Sequence, residues 1–169
     1  MRILFLSPWF PFPPTNGSEL RINALIRGLA ARHEVTLVSF QRRPVDDAHI
    51  RAAREHVSEV HLAPWREFQP GGRRARLAFF SAHPRSVVDT YSPEMAECIG
   101  RVLDSSTHDV VIASQLIMAA YWPHFRRVPA ILEEVELGIY RQQTDEPVAA
   151  HLGVRRRLMW AKQAAYLRS

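Results

Sequence analysis

The tripeptide Asn16-Gly17-Ser18 stands where a run of prolines and aromatics gives way to a helical pattern. The first N–H groups of a helix have no intrahelical partner, and the helix dipole adds partial positive charge there. Such a point can hold an anion such as phosphate. The same tripeptide also reads as an ordinary turn and cap, with Ser18 as the N-cap. A glycine at 17 predicts either a positive φ or close backbone approach by a ligand. Arg21 follows one helical turn later, near the same edge. Far along the chain, Glu133, Glu134 and Glu136 cluster at the end of an apolar run. Carboxylates there can accept hydrogen bonds from ligand hydroxyl groups, or serve as acids favoured at a helix N-terminus.

Other chemistries are excluded by what is missing. The eight histidines include no pair three or four residues apart on a helix, so no metal site is expected. Cys98 is the single cysteine, which excludes an intrachain disulfide and suits a reducing cytoplasm; it reads as a small buried residue on a helix. A dinucleotide fold would carry G-x-G-x-x-G after the first strand, and a phosphate-loop nucleotidase G-x-x-x-x-G-K-[ST]. The first strand is followed instead by "SPWFPFPPTNG", so NAD and FAD are not expected as cofactors.

The elements that must position these residues alternate. Apolar runs at 2–7, 34–40, 59–64, 109–114 and 129–134 are continuous rather than alternating, the pattern of parallel strands covered on both faces. Between them lie helical patterns at 18–33, 44–57 and 92–105. Leu20, Ala24, Leu25, Leu29 and Ala30 form the expected inward stripe of the first helix. Strand and helix in alternation predict a doubly wound, mainly parallel, Rossmann-like α/β sheet of order 3-2-1-4-5, with ligands at the carboxyl ends of strands 1 and 4. The loop after strand 1 holds Pro8, Pro11, Pro13 and Pro14 with Trp9, Phe10 and Phe12, and topology makes it a wall of that crevice. Its prolines would present the aromatics beside the cleft at low entropic cost.

The 169 residues, 47% hydrophobic and 23% charged, suit one domain over 1–169. Net charge is +5, and Lys162 is the only lysine. Residues 65–90 read as a mobile Gly-Gly loop leading into a short helix. The arginine groups 42–43, 73–76, 126–127 and 155–157 read as solvated faces or as contacts to anionic lipid. Without an aromatic platform they argue against nucleic acid. No signal peptide or membrane span is evident, so the expected location is the cytoplasm, at most peripheral to the inner membrane face. A helix over about 148–169 stops without a Gly or Pro signal, and the chain reads as cut.

Three ordered pieces carry a resemblance: "MRILFLSPWFPFPPTNGSELRINALIRGLAARHEVTLVSF", "DVVIASQLIMAAYW" and "RVPAILEEVELGIYRQQ". Together they resemble the amino-terminal lobe of GT-B glycosyltransferases of the family 4 type. The resemblance implies an acceptor-binding lobe of a retaining, nucleotide-sugar-dependent enzyme without a bound metal. It also implies a carboxy-terminal donor lobe, absent here, so that this chain alone would be inactive. The implied acceptor is a glycan or a lipid-linked sugar. Where many members place a histidine after the fourth strand, this chain has Ser114 and Gln115, and "EEVE" replaces a histidine-containing segment after the fifth. No catalytic residue is thereby assigned. Asn16, Gly17, Ser18, Arg21, Ser114, Gln115, Glu133, Glu134 and Glu136 are the expected substrate-binding residues. The competing reading is a stand-alone Rossmann-like module that binds a nucleotide, glycan or protein partner without turnover.

Overall fold

The computed structural model describes residues 1–134 and, beyond them, Gly153, Arg157, Leu158, Ala161, Lys162 and Ala165. Five strands, β1 (Arg2–Ser7), β2 (Glu34–Gln41), β3 (Glu59–Pro64), β4 (Val110–Ser114) and β5 (Ala130–Glu133), form one sheet. All neighbours pair in parallel, in the order β3-β2-β1-β4-β5. That is the expected doubly wound arrangement, and its winding direction switches beside β1. The helices are α1 (Gly17–Ala30), α2 (Asp47–Arg54), α3 (Arg73–Leu77), α4 (Arg85–Thr90), α5 (Pro93–Ser105), α6 (Leu116–Ala119) and α7 (Trp122–Phe125). The helix expected over 148–169 falls mostly outside the described residues.

The chain divides into two compact units. The first, Met1–Trp65 with Ser92–Glu134, holds the whole sheet. On one face Ile3, Phe5, Val35, Leu37, Val110 and Ile112 bury against Ile22 and Ile26 of α1 and Ala53 and Val57 of the α2 region. The alternate positions Leu4, Leu6, Val38, Phe40 and Val111 are equally buried. The Phe40 ring meets Tyr121 at 6.2 Å and Trp65 at 5.1 Å. The Tyr121 hydroxyl accepts the Ser92 N–H at 2.9 Å, at the N-cap of α5.

The inward face of α1 departs from the expected stripe. Leu20 is 58% exposed, and Ala24 and Leu25 also face out, while Ile22 and Ile26 enter the core with Leu29 and Ala30 half-buried. Two overlapping i, i+4 rows compete on this helix, and the β-branched row took the sheet.

The second unit comprises Arg66–Tyr91 and the described residues beyond 134. Gly71 and Gly72 lead directly into α3, and a 3-10 turn, Ala78–Phe80, precedes α4. Buried Arg85 organises the segment. Its Nε donates to the Ala75 carbonyl at 2.6 Å and its Nη2 to the Pro70 carbonyl at 2.7 Å, while its guanidinium lies 4.6 Å from the Phe79 ring centre. Buried Asp89 accepts the Gln69 N–H at 2.8 Å. Among the described residues no helix is long and apolar enough to cross a membrane.

Candidate functional site

The site grows from the carboxyl edge of the sheet, beginning with the loop after β1. The Ser7 hydroxyl, fully buried, donates to the Trp9 carbonyl at 2.5 Å and accepts the Trp9 N–H at 3.2 Å, which turns the chain off the strand. Phe10 and Phe12 then point into the core rather than beside a cleft. Phe12 stacks on His56 at 6.0 Å. The expectation that these aromatics line the crevice is corrected: burying two phenylalanines stabilises a core by about 2–3 kcal/mol each, and no ligand has to be present for that gain. Only Trp9 stays half-buried, with the Arg42 guanidinium 5.2 Å from its ring centre and 3.7 Å from that of Trp65.

Polar groups fix the rest of the loop. Asn23 Nδ2 donates to the Pro11 carbonyl at 3.0 Å. Arg43 donates to the carbonyls of Pro13 and Phe10 at 2.5 and 3.4 Å, and to Thr15 Oγ1 at 3.0 Å. It also pairs with Glu19 at 3.2 Å. Glu19 is buried, and its Oε2 accepts the Thr15 N–H at 2.7 Å and the Thr15 hydroxyl at 2.8 Å. Arg42 and Arg43 therefore do more than form a solvated face: Arg43 clamps the loop, and Arg42 packs on Trp9 and Trp65. Glu19 was not among the expected site residues, and Arg43 was expected only as part of a basic surface group. A signal for Glu19 was present, because Asn or Thr with Glu three or four residues later is the spacing of a capping box.

These contacts set where α1 begins. Asn16, not Ser18, is the N-cap: its side chain accepts the Glu19 N–H at 3.0 Å and its carbonyl the Leu20 N–H at 2.9 Å. Gly17 and Ser18 are thus the first two helical residues, and no described residue accepts from their N–H groups. Gly17 has no positive φ, and a Cβ there would meet nothing within 4 Å. Of the two reasons offered for the glycine, backbone conformation is ruled out.

One turn further, Arg21 reaches across to β5. Its Nη1 forms an ion pair with Glu133 Oε1. The other carboxylate oxygen of Glu133, Oε2, accepts the hydroxyl of buried Ser114 at 2.9 Å. Ser114 and Glu133 are register partners at the last positions of β4 and β5. Three expected site residues, one from a helix and two from strands more than ninety positions further along the chain, thus form one hydrogen-bonded network. Both Glu133 oxygens are engaged, so ligand hydroxyls would have to share its remaining lone pairs. Arg21, by contrast, has N–H groups left beyond the one given to Glu133.

Glu134 does different work: its Oε2 accepts the Leu116 N–H at 2.7 Å, at the start of α6. Of the two roles weighed for the carboxylates, Glu134 thus takes that of an acid at a helix start. Glu136 lies outside the described residues.

Between Ser114 and Leu116, Gln115 holds φ 65° and ψ 155°. It is the one non-glycine residue with positive φ among the described residues. This region is populated almost only by glycine and costs a residue with a Cβ about 1–3 kcal/mol. Hydrogen bonds on either side impose it. The Gln115 N–H donates to the Glu133 carbonyl at 2.6 Å, the Leu116 N–H to Glu134, and the Met118 N–H to the Gln115 carbonyl at 3.0 Å. The half-buried side-chain amide has no hydrogen-bond partner among the described residues. Such strain concentrates at binding sites. No sequence signal could have found it, since glutamine does not advertise a left-handed backbone.

Among the described residues no group of three or more His, Cys, Asp or Glu side chains could hold a metal ion. What the edge offers chemically is an anchored guanidinium, a buried hydroxyl, a free amide and uncapped helical N–H groups. That set suits an anionic or polyhydroxylated ligand.

No protein-family model matches the chain, and no curated protein matches it. Solved structures do. The Phytolacca americana UGT2 structure, complexed with UDP-2fluoro-glucose and pterostilbene, aligns over 88% of this chain and 35% of its own, with TM-score 0.51 and 12% identity. The glycotransferase of kitacinnamycin (99% and 38%, TM-score 0.43, 17% identity) and Medicago truncatula UGT71G1 complexed with UDP-glucose (84% and 31%, TM-score 0.44, 12% identity) also align. The chain spans about a third of the length of these structures. With its five-stranded parallel sheet of order 3-2-1-4-5, it has the Rossmann-like fold of one lobe of a GT-B glycosyltransferase.

Proposed function

We propose that this chain is the acceptor-side lobe of a retaining, nucleotide-sugar-dependent glycosyltransferase of the family 4 type, acting with a separate donor-binding half. The observation that carries the reading is the convergence of Arg21, Ser114 and Glu133 at the carboxyl edge of β4 and β5. This is the crevice where doubly wound sheets bind ligands, on a fold shared with glycosyltransferases. In this reading Glu133 holds the Arg21 guanidinium over the edge, and the remaining N–H groups of Arg21 meet the acceptor or a donor phosphate. Gln115 offers its amide to a sugar hydroxyl, and Gly17 and Ser18 offer N–H groups from the start of α1. A nucleotide sugar enters as co-substrate, and no bound metal or cofactor is required. The departing nucleotide is stabilised by the other half, since one lobe lacks the groups to hold both substrates in reacting geometry.

The test supplies a donor-binding half and assays transfer from a panel of nucleotide sugars, UDP-glucose among them, to glycan and lipid-linked acceptors. Transfer is expected only with both halves. Arg21→Ala should lower kcat/KM by about tenfold to a hundredfold, the worth of a charged hydrogen bond, with a much smaller effect on thermal stability. Turnover by the 169-residue chain alone would sink the two-lobe reading. Equal losses of activity and stability in Arg21→Ala would make the arginine a packing residue.

A further inference from the structure

Residues 73–80 turn outward side chains that folded chains ordinarily hide. Phe80 is 94% exposed and Leu77 62%. With Arg73 they fall at i, i+4 and i+7 along α3 and the 3-10 turn that continues it, so the three share a face. Arg76 stands one turn before Phe80. Arg73 and Arg76 are exposed, and no described residue pairs with their guanidinium groups. Arg74 gives one N–H to the Val88 carbonyl at 3.1 Å and is otherwise exposed. The support beneath is built to hold this arrangement. Phe79 turns in beneath the Arg85 guanidinium, and its carbonyl accepts Lys162 Nζ at 2.7 Å. Turning Phe79 inward sends Phe80 out. Across residues 66–91 five arginines face two acids, Glu67 and Asp89, and Asp89 is buried.

We propose that this surface docks on an anionic lipid bilayer. Phe80 and Leu77 enter the boundary between headgroups and acyl chains, and Arg73, Arg74 and Arg76 meet lipid phosphates. A protruding aromatic with guanidinium groups around its base matches an interface whose apolar layer lies beneath a layer of anions. A protein partner would need a pocket for Phe80, whereas acyl chains receive it without one. The proposal rests on the second unit alone and is independent of sugar transfer.

Sedimentation of the full chain with vesicles tests it, comparing phosphatidylcholine alone with phosphatidylcholine mixed with phosphatidylglycerol. Binding is expected to the mixed vesicles and to weaken as salt rises. Replacing Arg73, Arg74 and Arg76 together with Gln should lower the partition coefficient about a hundredfold, at roughly a factor of five per cation. Phe80→Ser should lower it at least about tenfold while leaving the melting temperature unchanged, because the ring makes so little contact with the fold. Absence of binding to the mixed vesicles overturns the proposal. So does binding that survives both sets of substitutions, or concentration-dependent self-association through Phe80 in place of vesicle binding.

Discussion

Replacing Gln115 with glycine should make the protein more stable while weakening its candidate site. Gln115 sits at φ 65° and ψ 155°, where a Cβ costs about 1–3 kcal/mol. Removing the Cβ recovers that strain. Against the gain stands the greater freedom of glycine in the unfolded chain, about 0.5–1 kcal/mol. The net expectation is a stabilisation of about 1 kcal/mol, or some 2–4 °C in melting temperature for a chain of this length. Gln115→Ala is the control. Alanine removes the amide but keeps the Cβ, so it should melt no higher than the wild type. Thermal and urea unfolding of the three proteins measure the difference, provided each transition is cooperative.

The two variants together separate strain from side-chain chemistry. Both lose the amide, so both should bind a sugar ligand less well if Gln115 contacts it, yet only the glycine variant should gain stability. Should Gln115→Gly melt at or below the wild type, the backbone at this position stores no strain, and the reasoning that links the turn after β4 to function fails. A gain in stability with ligand binding untouched in both variants would leave the strain real but the amide unused.

Three further outcomes follow, two from the loop and one from the opposite end of the sheet. Arg43→Ala removes four donated hydrogen bonds and leaves the buried Glu19 carboxylate without its cation, so a loss of about 1–3 kcal/mol is expected. Arg42→Ala removes ring stacking and should cost less, about 0.5–2 kcal/mol, with a change in Trp9 and Trp65 fluorescence. Burial holds the His108 imidazole below its ordinary value near 6.5, with the nearby Arg2 charge acting in the same direction. The unfolded chain therefore binds a proton first as pH falls, and stability should decline below about pH 6.5 towards the folded value. His108→Gln should flatten the pH dependence of the urea midpoint between pH 7 and 5, and an unchanged slope would refute the assignment.

The sheet was legible because its strands are continuous apolar runs, and a parallel strand with both faces covered has no other pattern. The alternation of strand and helix pointed to the doubly wound order 3-2-1-4-5, and with that order Arg21, Ser114 and Glu133 fall at one edge of the sheet. The orientation of α1 was not legible. Leu20, Ala24 and Leu25 make one stripe, Ile22 and Ile26 another, and only the shape of the sheet chooses between them. The N-cap was missed by two residues because Ser18 is as good a cap chemically as Asn16, and the decision lies with Glu19, whose carboxylate is held by Arg43 from the end of β2. Long-range partners of this kind leave no local trace, and neither does the left-handed backbone of Gln115.

The proline-rich loop can now be explained without appeal to ligand-facing aromatics. A guanidinium reaches Glu133 from α1 only if that helix begins at a fixed place over the edge of β4, and a helix start can slide by a residue when its flanking chain is loose. Four prolines reduce the states the loop can explore, and Phe10 and Phe12 tie it to the core. Asn23, Arg43 and Thr15 with Glu19 then fix its carbonyls and the cap at Asn16. A shift of one residue would turn Arg21 about 100° around the helix and break its pair with Glu133. The stiffness and the buried aromatics thus serve position: they hold the first turn of α1 where its free N–H groups and Arg21 face the same edge as Ser114 and Gln115.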